Sequence, residues 1–315
     1  MVGFGGYLPD RIVTNDELAA RLETSDEWIR ARTGIGQRHI AGPGDTAVSM
    51  AAAAAARALD YAGVAAADVG AVIVATSTPD QAFPATAVRV QAELGMRGGF
   101  GFDIAAACSG FVYALTVADS LIRSGQTDSV LVIGSEVYSR ILDWSDRGTC
   151  VLFGDGAGAV LLTAGDAAQP AGILSTHLHS DGTTGDLLYV DGAVGLREQS
   201  GFLRMQGRDV FRHAVAKLSS SVDEVLQANG LTYADVSWLV PHQANLRIIE
   251  AVARKLELPP ERVVVTVDKH ANTSAASIPL AMNEAVRDGR IRKGDLVLME
   301  ALGGGLTWGS ALARI

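Results

Sequence analysis

Residues 100–110 read FGFDIAAACSG and residues 263–274 read VVVTVDKHANTS. Each stretch is a short apolar run that leads through small or polar residues to Cys108 in the first and to Asn272 in the second. A helix is predicted to follow both, and Gly125 and Gly289 stand 17 residues after Cys108 and Asn272, where those helices should end. The common spacing predicts an internal duplication, with Cys108 and Asn272 at equivalent positions at the start of a helix.

Branched apolar runs alternate with helical stretches on both sides of these segments. The predicted strands are 71–75, 100–104, 130–133, 159–163, 238–240, 263–267 and 296–299. The predicted helices are 51–62, 110–124, 210–229, 246–256 and 278–288. We expect a turn from Gly3 onward and a glycine-rich hairpin closing each half, at 154–162 and 303–313. Continuous apolar strands are covered on both faces, so the alternation predicts a layered α/β protein.

The composition is that of a folded protein of enzyme size. The 315 residues are 48% hydrophobic and 19% charged, and a chain this long buries roughly 75% of the surface that it exposes when unfolded. A net charge of −9 argues against nucleic acid or a membrane surface as a partner. With only two cysteines, and an N-terminus that shows no signal or transit pattern, we expect a cytoplasmic location.

Cys108 is the candidate nucleophile. A thiol at a helix N-terminus feels the positive end of the peptide dipoles, and we expect its pKa to fall from about 8.5 toward ~7. Cysteine is more often an inert core residue, and Cys150 is interpreted in that way. His242 follows a predicted strand and Pro241, at the strand end where α/β sheets present chemistry. If the two halves meet, Cys108, His242 and Asn272 converge.

No metal site is predicted. His177 and His179 would share one face of a strand, a spacing seen among metal ligands, but the sequence offers no third ligand in a recognisable arrangement.

Seven stretches in chain order carry the residues that decide the family. They are Thr24–Ile29 with Arg32–Ile35, Asp103–Cys108, Asp146–Thr149, Phe153–Ala159, Val240–Asn245, His270–Ser277 and Gly303–Gly305. Together they resemble β-ketoacyl-acyl carrier protein synthase III of the thiolase superfamily. The resemblance implies a thiolase fold of two βαβαβαββ halves in five αβαβα layers, with the nucleophile in 1–165 and the histidine and asparagine in 166–315. It also implies a homodimer.

The resemblance assigns a reaction to the three residues. Cys108 takes an acyl group, acetyl by default, from an acyl-coenzyme A, and His242 and Asn272 stabilise the enolate that forms when a malonyl carrier protein loses carbon dioxide. The enolate then attacks the acyl thioester, which gives a 3-oxoacyl carrier protein. The backbone N–H groups of Cys108 and Gly304 are expected to hold the acyl oxyanion. Coenzyme A is a substrate here, and no cofactor is implied.

The resemblance also implies a path for the substrates. Trp28 and Arg147 are expected to sandwich the adenine of coenzyme A, Arg32 to meet its phosphates, and Asn245 to lie along the pantetheine arm. Phe83 and Leu302 are expected at the acyl pocket, Phe83 by reaching into the other subunit's pocket. Carrier-protein docking is assigned to four cationic residues: Arg247, Arg212, Arg254 and Lys255.

Three alternatives stay open. One is a related condensing or acyl-transfer enzyme of a secondary pathway. Another is a Cys-His-Asn hydrolase, since some proteases use the same three residue types in the same order. The last is a dimeric scaffold without catalytic activity, which the presence of Cys108, His242 and Asn272 disfavours.

Overall fold

The computed structural model describes residues 1–165, 171–192 and 201–315. Its strands are β1 Gly3–Tyr7, β2 Ile12–Thr14, β3 Gln37–His39, β4 Ala71–Ala75, β5 Phe100–Ile104, β6 Ser129–Glu136, β7 Gly156–Thr163, β8 Gly172–Ser180, β9 Leu188–Val190, β10 Leu203–Met205, β11 Trp238–Pro241, β12 Leu296–Gly303 and β13 Thr307–Arg314. Its helices are α1 Asn15–Ala19, α2 Asp26–Thr33, α3 Ala47–Ala62, α4 Thr86–Glu93, α5 Gly110–Arg123, α6 Gly207–Ala228, α7 Leu246–Lys255, α8 Val267–His270 and α9 Ser277–Arg287.

Two sheets repeat one topology. The first has the order β1-β7-β6-β4-β5, and the second has the order β8-β13-β12-β11 when read in the same sense. In both, the first three strands pair antiparallel and the next pairing is parallel. This common order confirms the predicted duplication. The predicted junction between halves at residue 166 lies outside the described residues.

The helices and sheets stack in the five layers that the family resemblance implies. Helices α3 and α4 pack on the outer face of the first sheet, whereas α6 and α7 pack on the outer face of the second. Between the sheets lie α5 and α9, whose apolar residues join a core that includes strands from both sheets. Cys108 and Asn272 precede these two central helices, so the fold brings both toward the middle of the molecule.

The predicted strand 263–267 is wrong. Val263 makes one isolated parallel bridge with Leu239, and the N–H of Val264 donates to Leu239 O at 2.9 Å. Two N–H groups that follow, of Thr266 and Val267, instead donate to Gln243 Oε1 at 2.8 and 3.1 Å. Because a side chain takes the donors that a neighbouring strand would need, the chain turns into α8 after one bridge.

The predicted turn at Gly3 is also wrong, since these residues form β1. Glycine is needed there because α3 lies against the strand: a Cβ on Gly5 would lie 2.1 Å from Ala54 O. The hairpin predicted at 154–162 is replaced by β6 and β7, which pair antiparallel but are joined by residues 137–155. In the second half, the expected hairpin is present as β12 and β13.

No helix among the described residues has the length and apolarity that spanning a bilayer requires.

Candidate active site

The residues directly before Cys108 and Asn272 both have a positive φ. Ala107, directly before Cys108, has φ 43°, and Ala271, directly before Asn272, has φ 58°. A positive φ is uncommon for a residue with a side chain, and such conformations cluster at functional sites. The pair supports the equivalence that the sequence spacing predicts. Cys108 lies in a 3₁₀ turn, Ala107–Ser109, directly before α5.

The structure brings the three predicted residues together. Cys108, His242 and Asn272 line one cavity of about 500 Å³. Each is buried, with 4%, 5% and 6% of its surface exposed. Residues from both halves thus meet at one buried point of this cavity. Trp28 and Arg247 also line the cavity, at the end that we call its mouth.

His242 is held as a neutral donor. Its Nδ1 lies 2.6 Å from Ser277 Oγ, which itself accepts the N–H of Gln243 at 3.3 Å. A Ser277 hydroxyl that donates to Nδ1 satisfies both contacts and places the ring proton on Nε2, and this is the tautomer that we assign to His242. Burial lowers the pKa of His242 from 6.5 to about 3, so the imidazole is uncharged at neutral pH.

The amide of Asn272 is oriented by the next turn. Its Oδ1 accepts the backbone N–H of Ser274 at 2.9 Å, which leaves Nδ2 as the end that can donate to a ligand. The Asn272 backbone is tied to the first half, because its N–H donates to Leu152 O at 2.9 Å.

The expected lowering of the Cys108 pKa is wrong. Burial raises the pKa of this thiol from 9.0 to about 12, and the Glu136 carboxylate adds to the rise. Hydrogen bonds from Ser274, Tyr138 and the thiol's own backbone N–H act in the opposite direction but are outweighed. The thiol of Cys108 is therefore neutral at rest and must lose its proton before it can act as a nucleophile.

Two glycines, the last residue of β12 and the first of the turn after it, lie close to the backbone of neighbouring segments. A Cβ on Gly303 would lie 2.6 Å from Cys108 N, so this position must be glycine for the strand to approach the turn. The glycine triplet Gly303–Gly305 is the sequence signal for this close approach. Gly304 is close to Leu188 in the same way, because a Cβ on Gly304 would lie 2.6 Å from Leu188 O. Its oxyanion role stays a prediction.

The aromatic residue at the cavity mouth is already stacked. The guanidinium carbons of Arg32 and Arg147 lie 4.8 and 5.1 Å from the Trp28 ring centroid. A purine between Trp28 and Arg147 needs roughly 7 Å, two van der Waals separations. The predicted sandwich is therefore not formed here, and Arg147, which also donates to Glu23 O, would have to move. Asn245 lines the cavity, and its Nδ2 donates to Arg32 O at 3.2 Å.

The predicted docking residues do not all lie at the mouth. Arg247 lines the cavity, with its guanidinium carbon 5.9 Å from the Phe211 ring centroid. Arg208 lines it too, and the sequence analysis missed this residue because its helix begins at Gly207 rather than at Val210.

The other predicted docking residues are exposed on the neighbouring helices. Arg212 pairs with Asp209 at 2.8 Å. Arg254 and Lys255 lie at the end of α7.

The two predicted acyl-pocket residues differ in burial and in whether they line the cavity. Leu302 is buried and lines the cavity. Phe83 is 84% exposed and does not line the cavity within one chain. Its reach into another subunit stays a prediction.

His177 and His179 both contact Glu224, at 3.2 and 2.6 Å. Across the described ranges, no group of three or more His, Cys, Asp or Glu is arranged to hold a metal ion.

Comparison with known proteins gives a consistent result. The family described as 3-oxoacyl-[acyl-carrier-protein (ACP)] synthase III matches residues 102–182, and its C-terminal family matches residues 226–315. The chain is 68% identical over 312 residues to a β-ketoacyl-[acyl-carrier-protein] synthase III of Acidiphilium cryptum, covering 99% of this chain and 98% of the relative. A similar enzyme of Granulibacter bethesdensis is 65% identical, covering 100% and 98%. The crystal structure of 3-oxoacyl-[acyl-carrier-protein] synthase III from Aquifex aeolicus superposes with a TM-score of 0.95 at 48% identity, covering 100% and 99%.

Proposed function

Because the chain belongs to the β-ketoacyl-[acyl-carrier-protein] synthase III family, a thiolase-fold family, we propose that Cys108, His242 and Asn272 perform the condensation that starts fatty acid biosynthesis. The chain is an acyltransferase that joins an acyl-coenzyme A to malonyl-acyl carrier protein. The observation that carries the residue assignment is the single cavity lined by all three side chains.

The first half-reaction is transfer of the acyl group to sulfur. Cys108 attacks the thioester carbonyl of the acyl-coenzyme A, and coenzyme A leaves as a thiol. Thiolate is both a good nucleophile and a good leaving group, so one difficult carbon–carbon bond formation is divided into two easier steps. The Cys108 N–H, against which Gly303 packs, and the Gly304 N–H are assigned to the oxyanion of this step.

The second half-reaction is decarboxylation and condensation. The malonyl thioester carbonyl accepts hydrogen bonds from His242 Nε2 and Asn272 Nδ2, which stabilise the enolate as carbon dioxide leaves. Support comes from the two orienting contacts, Ser277 on His242 and Ser274 on Asn272, which leave a donor free on each side chain. A neutral imidazole suits this task because it donates without being acidic enough to protonate the carbanion.

The cavity mouth is assigned to the coenzyme A and carrier-protein arms. Trp28, Arg32 and Arg147 bind the nucleotide end, after Arg147 leaves the indole face, and Asn245 lies along the pantetheine. Arg247 is assigned as the main contact for the carrier protein. We add Arg208, which also lines the cavity at its mouth. These cations supply the local positive face that an acidic carrier protein needs on a chain with net charge −9.

We further propose a cytoplasmic homodimer without a cofactor. Phe83 supports the dimer because a phenylalanine that is 84% exposed is uncommon on a free surface. Val88 and Phe100, which are 43% and 38% exposed, are also available for contact with a second chain.

The hydrolase alternative is disfavoured by two contacts. In a Cys-His-Asn hydrolase the asparagine orients the histidine. Here His242 Nδ1 is occupied by Ser277, and Asn272 Oδ1 is occupied by the Ser274 N–H. A condensing enzyme of a secondary pathway would share these contacts and differs only in its acyl substrate.

Intact-protein mass spectrometry after incubation with a panel of acyl-coenzyme A thioesters tests the assignment. We expect a mass gain of one acyl group in the wild type, lost on hydroxylamine treatment, and none in Cys108→Ala. The Cys108→Ala variant should still release carbon dioxide from malonyl-acyl carrier protein, because its enolate donors are intact. An acyl adduct on Cys108→Ala would remove the assigned nucleophile, and Cys150→Ala, which changes the other thiol, should acylate normally.

A further inference from the structure

Gln243, the residue directly after the histidine of the site, is fully buried and uses every polar atom of its side chain. Its Nε2 donates to Pro241 O at 2.8 Å and to Val264 O at 3.0 Å. Its Oε1 accepts the N–H groups of Thr266 at 2.8 Å and of Val267 at 3.1 Å. Carbonyls face one end of the amide and N–H groups face the other, so the four contacts fix its orientation. One side chain therefore holds four backbone groups.

These backbone groups belong to the two segments that lead to the proposed enolate donors. Pro241 ends β11 and directly precedes His242, whereas residues 264–267 lead into α8 and on to Asn272. The main chains of the two segments pair through an isolated bridge farther back along both. Beyond that bridge, the side-chain amide makes the connection that strand pairing would otherwise make.

The contact with Val267 extends to the residue before Asn272. The Val267 N–H donates to the amide oxygen, and the Val267 carbonyl accepts the N–H of Ala271 at 3.0 Å. Ala271, with its positive φ of 58°, directly precedes Asn272. Leu152 holds Asn272 against the first half. Gln243 thus ties the same turn to the strand end that leads to the histidine.

The main chain beside the histidine is fixed as well. The Gln243 N–H donates to Ser277 Oγ at 3.3 Å, the hydroxyl that also contacts His242 Nδ1 at 2.6 Å. The His242 N–H donates to Glu300 O at 2.8 Å. Residues 242–243 are therefore anchored on β12 and α9, and the Gln243 side chain connects this anchored pair to the segment that leads to the asparagine.

We propose that Gln243 is a positioning residue that sets the spacing between the two enolate donors, a role that rests on the proposed function. The side chains of His242 and Asn272 must converge on one carbonyl oxygen, each at hydrogen-bond distance. They come from separate segments, and a misplacement of about 1 Å can cost roughly 100-fold in rate. The oxyanion of acyl transfer to Cys108 is assigned to backbone N–H groups, so that step does not depend on this spacing.

Thr266 provides a matched control beside Gln243. It is fully buried, and its N–H donates to Gln243 Oε1. Within the part of the chain that the structure describes, its hydroxyl has no hydrogen-bond partner. Thr266→Val thus removes a buried hydroxyl from the same place but keeps the N–H contact with the amide.

The test uses Gln243→Met, which keeps the length of the side chain but removes its four hydrogen bonds. Acyl transfer from acetyl-coenzyme A is followed by mass spectrometry, and decarboxylation by carbon dioxide released when the acylated enzyme meets malonyl-acyl carrier protein. Both rates are divided by the final amount of acyl-enzyme, which counts folded sites. We expect decarboxylation to fall roughly 100-fold and acyl transfer to stay within about threefold of the wild type. Thr266→Val should keep both rates within about twofold, because the amide keeps its partners.

A double variant separates spacing from a general loss of structure. In Asn272→Ala one donor is gone, so the spacing of the pair no longer matters. Adding Gln243→Met should then slow decarboxylation by less than about fivefold, although the single change slows it roughly 100-fold. If the two losses multiply in full, the residues act independently and the spacing role is wrong.

Two further results would overturn the proposal. One is an equal loss of decarboxylation and acyl transfer per folded site, and the other is a Gln243→Met variant that decarboxylates at the wild-type rate. If Gln243→Met does not fold, Gln243→Glu replaces it in each comparison, because it keeps the acceptor for the two N–H groups and can donate to one carbonyl at most. We expect Gln243→Glu to slow decarboxylation about tenfold, with acyl transfer again within about threefold. Absence of any acyl adduct in the wild type would instead count against the proposed function.

Discussion

The turn that carries Cys108 and the turn that carries Asn272 occupy equivalent places in the two halves but have different roles in the proposed reaction. Both follow an alanine with positive φ, and both precede a helix of the central layer. They differ in length: α5 begins two residues after Cys108, whereas α9 begins five residues after Asn272.

The additional residues account for the division of labour. They include Ser274, which orients Asn272 and contacts Glu136, and they bring Ser277 to the start of α9 against His242. The short turn contributes Cys108, the proposed nucleophile, and only one further residue before α5 begins. The long turn supplies one donor, Asn272, and the serines that contact Asn272 and His242. A three-residue difference thus separates the two assigned roles within one duplicated fold.

Each turn also rests on the other half. Gly134 of β6 lies against the second-half turn, and Gly303 of β12 lies against the first-half turn. A Cβ on Gly134 would lie 2.2 Å from Ala275 O, and one on Gly303 would lie 2.6 Å from Cys108 N. Each half therefore packs against the turn that the other half contributes to the site.

The largest difference between the rates of the two half-reactions is expected from Asn272→Ala. Loss of one enolate donor should lower the rate of condensation, and of decarboxylation, about 100-fold to 1000-fold. The rate of acyl transfer to Cys108 should stay within about threefold, because that step uses the other turn. Both rates can be measured on one preparation, by release of carbon dioxide and by mass spectrometry.

Asn272→Asp serves as the companion variant, since it keeps the size and the acceptor for the Ser274 N–H but removes the donor. It should resemble Asn272→Ala. Equal loss in both half-reactions would mean that the two turns do not divide the work.

The sequence predicts the duplication, the layers and the three converging residues because these depend on local patterns: branched runs, glycine punctuation and motif order. Ser274, Ser277 and Glu136 could not be selected in that way. Serine is common at helix starts, and a glutamate at the end of a strand gives no sign of burial. Apart from Asn272, which is two residues from Ser274, their partners discussed here are 34 to 138 residues away, so their roles depend on tertiary contacts. The high pKa of Cys108 was missed for the same reason, since burial and Glu136 outweigh the local helix start.

Smaller effects are expected from the two supporting glycines. Gly134→Ala should lower the free energy of unfolding by about 3 kcal/mol, since its Cβ meets only backbone atoms of the opposite turn. Gly303→Ala should lower the free energy of unfolding less, by about 1 to 2 kcal/mol, because the atom nearest to its added Cβ is farther away than at Gly134. Denaturant titration measures both.

In the folded fraction, Gly134→Ala should slow decarboxylation more, and Gly303→Ala should slow acyl transfer more. Gly98→Ala is the control, because a Cβ there meets nothing within 4 Å. If both glycine variants slow the same half-reaction, the reciprocal support described above does not govern the chemistry.

The smallest effect is expected from pH on the second half-reaction. The pKa of His242 is lowered from 6.5 to about 3 by burial, so the imidazole stays neutral, with hydrogen on Nε2, throughout the range in which enzymes are assayed. Decarboxylation by Cys108→Ala, which isolates this half-reaction, should therefore vary less than about twofold between about pH 6 and about pH 8. Acid acts on stability instead: below about 6.5 the unfolded chain binds a proton that folded His242 refuses, so the free energy of unfolding falls as the pH drops toward 3. A decarboxylation rate that falls with a midpoint near 6.5, while circular dichroism shows the variant still folded, would mean that the imidazole titrates in the site and that the longer turn does not hold it as a neutral donor.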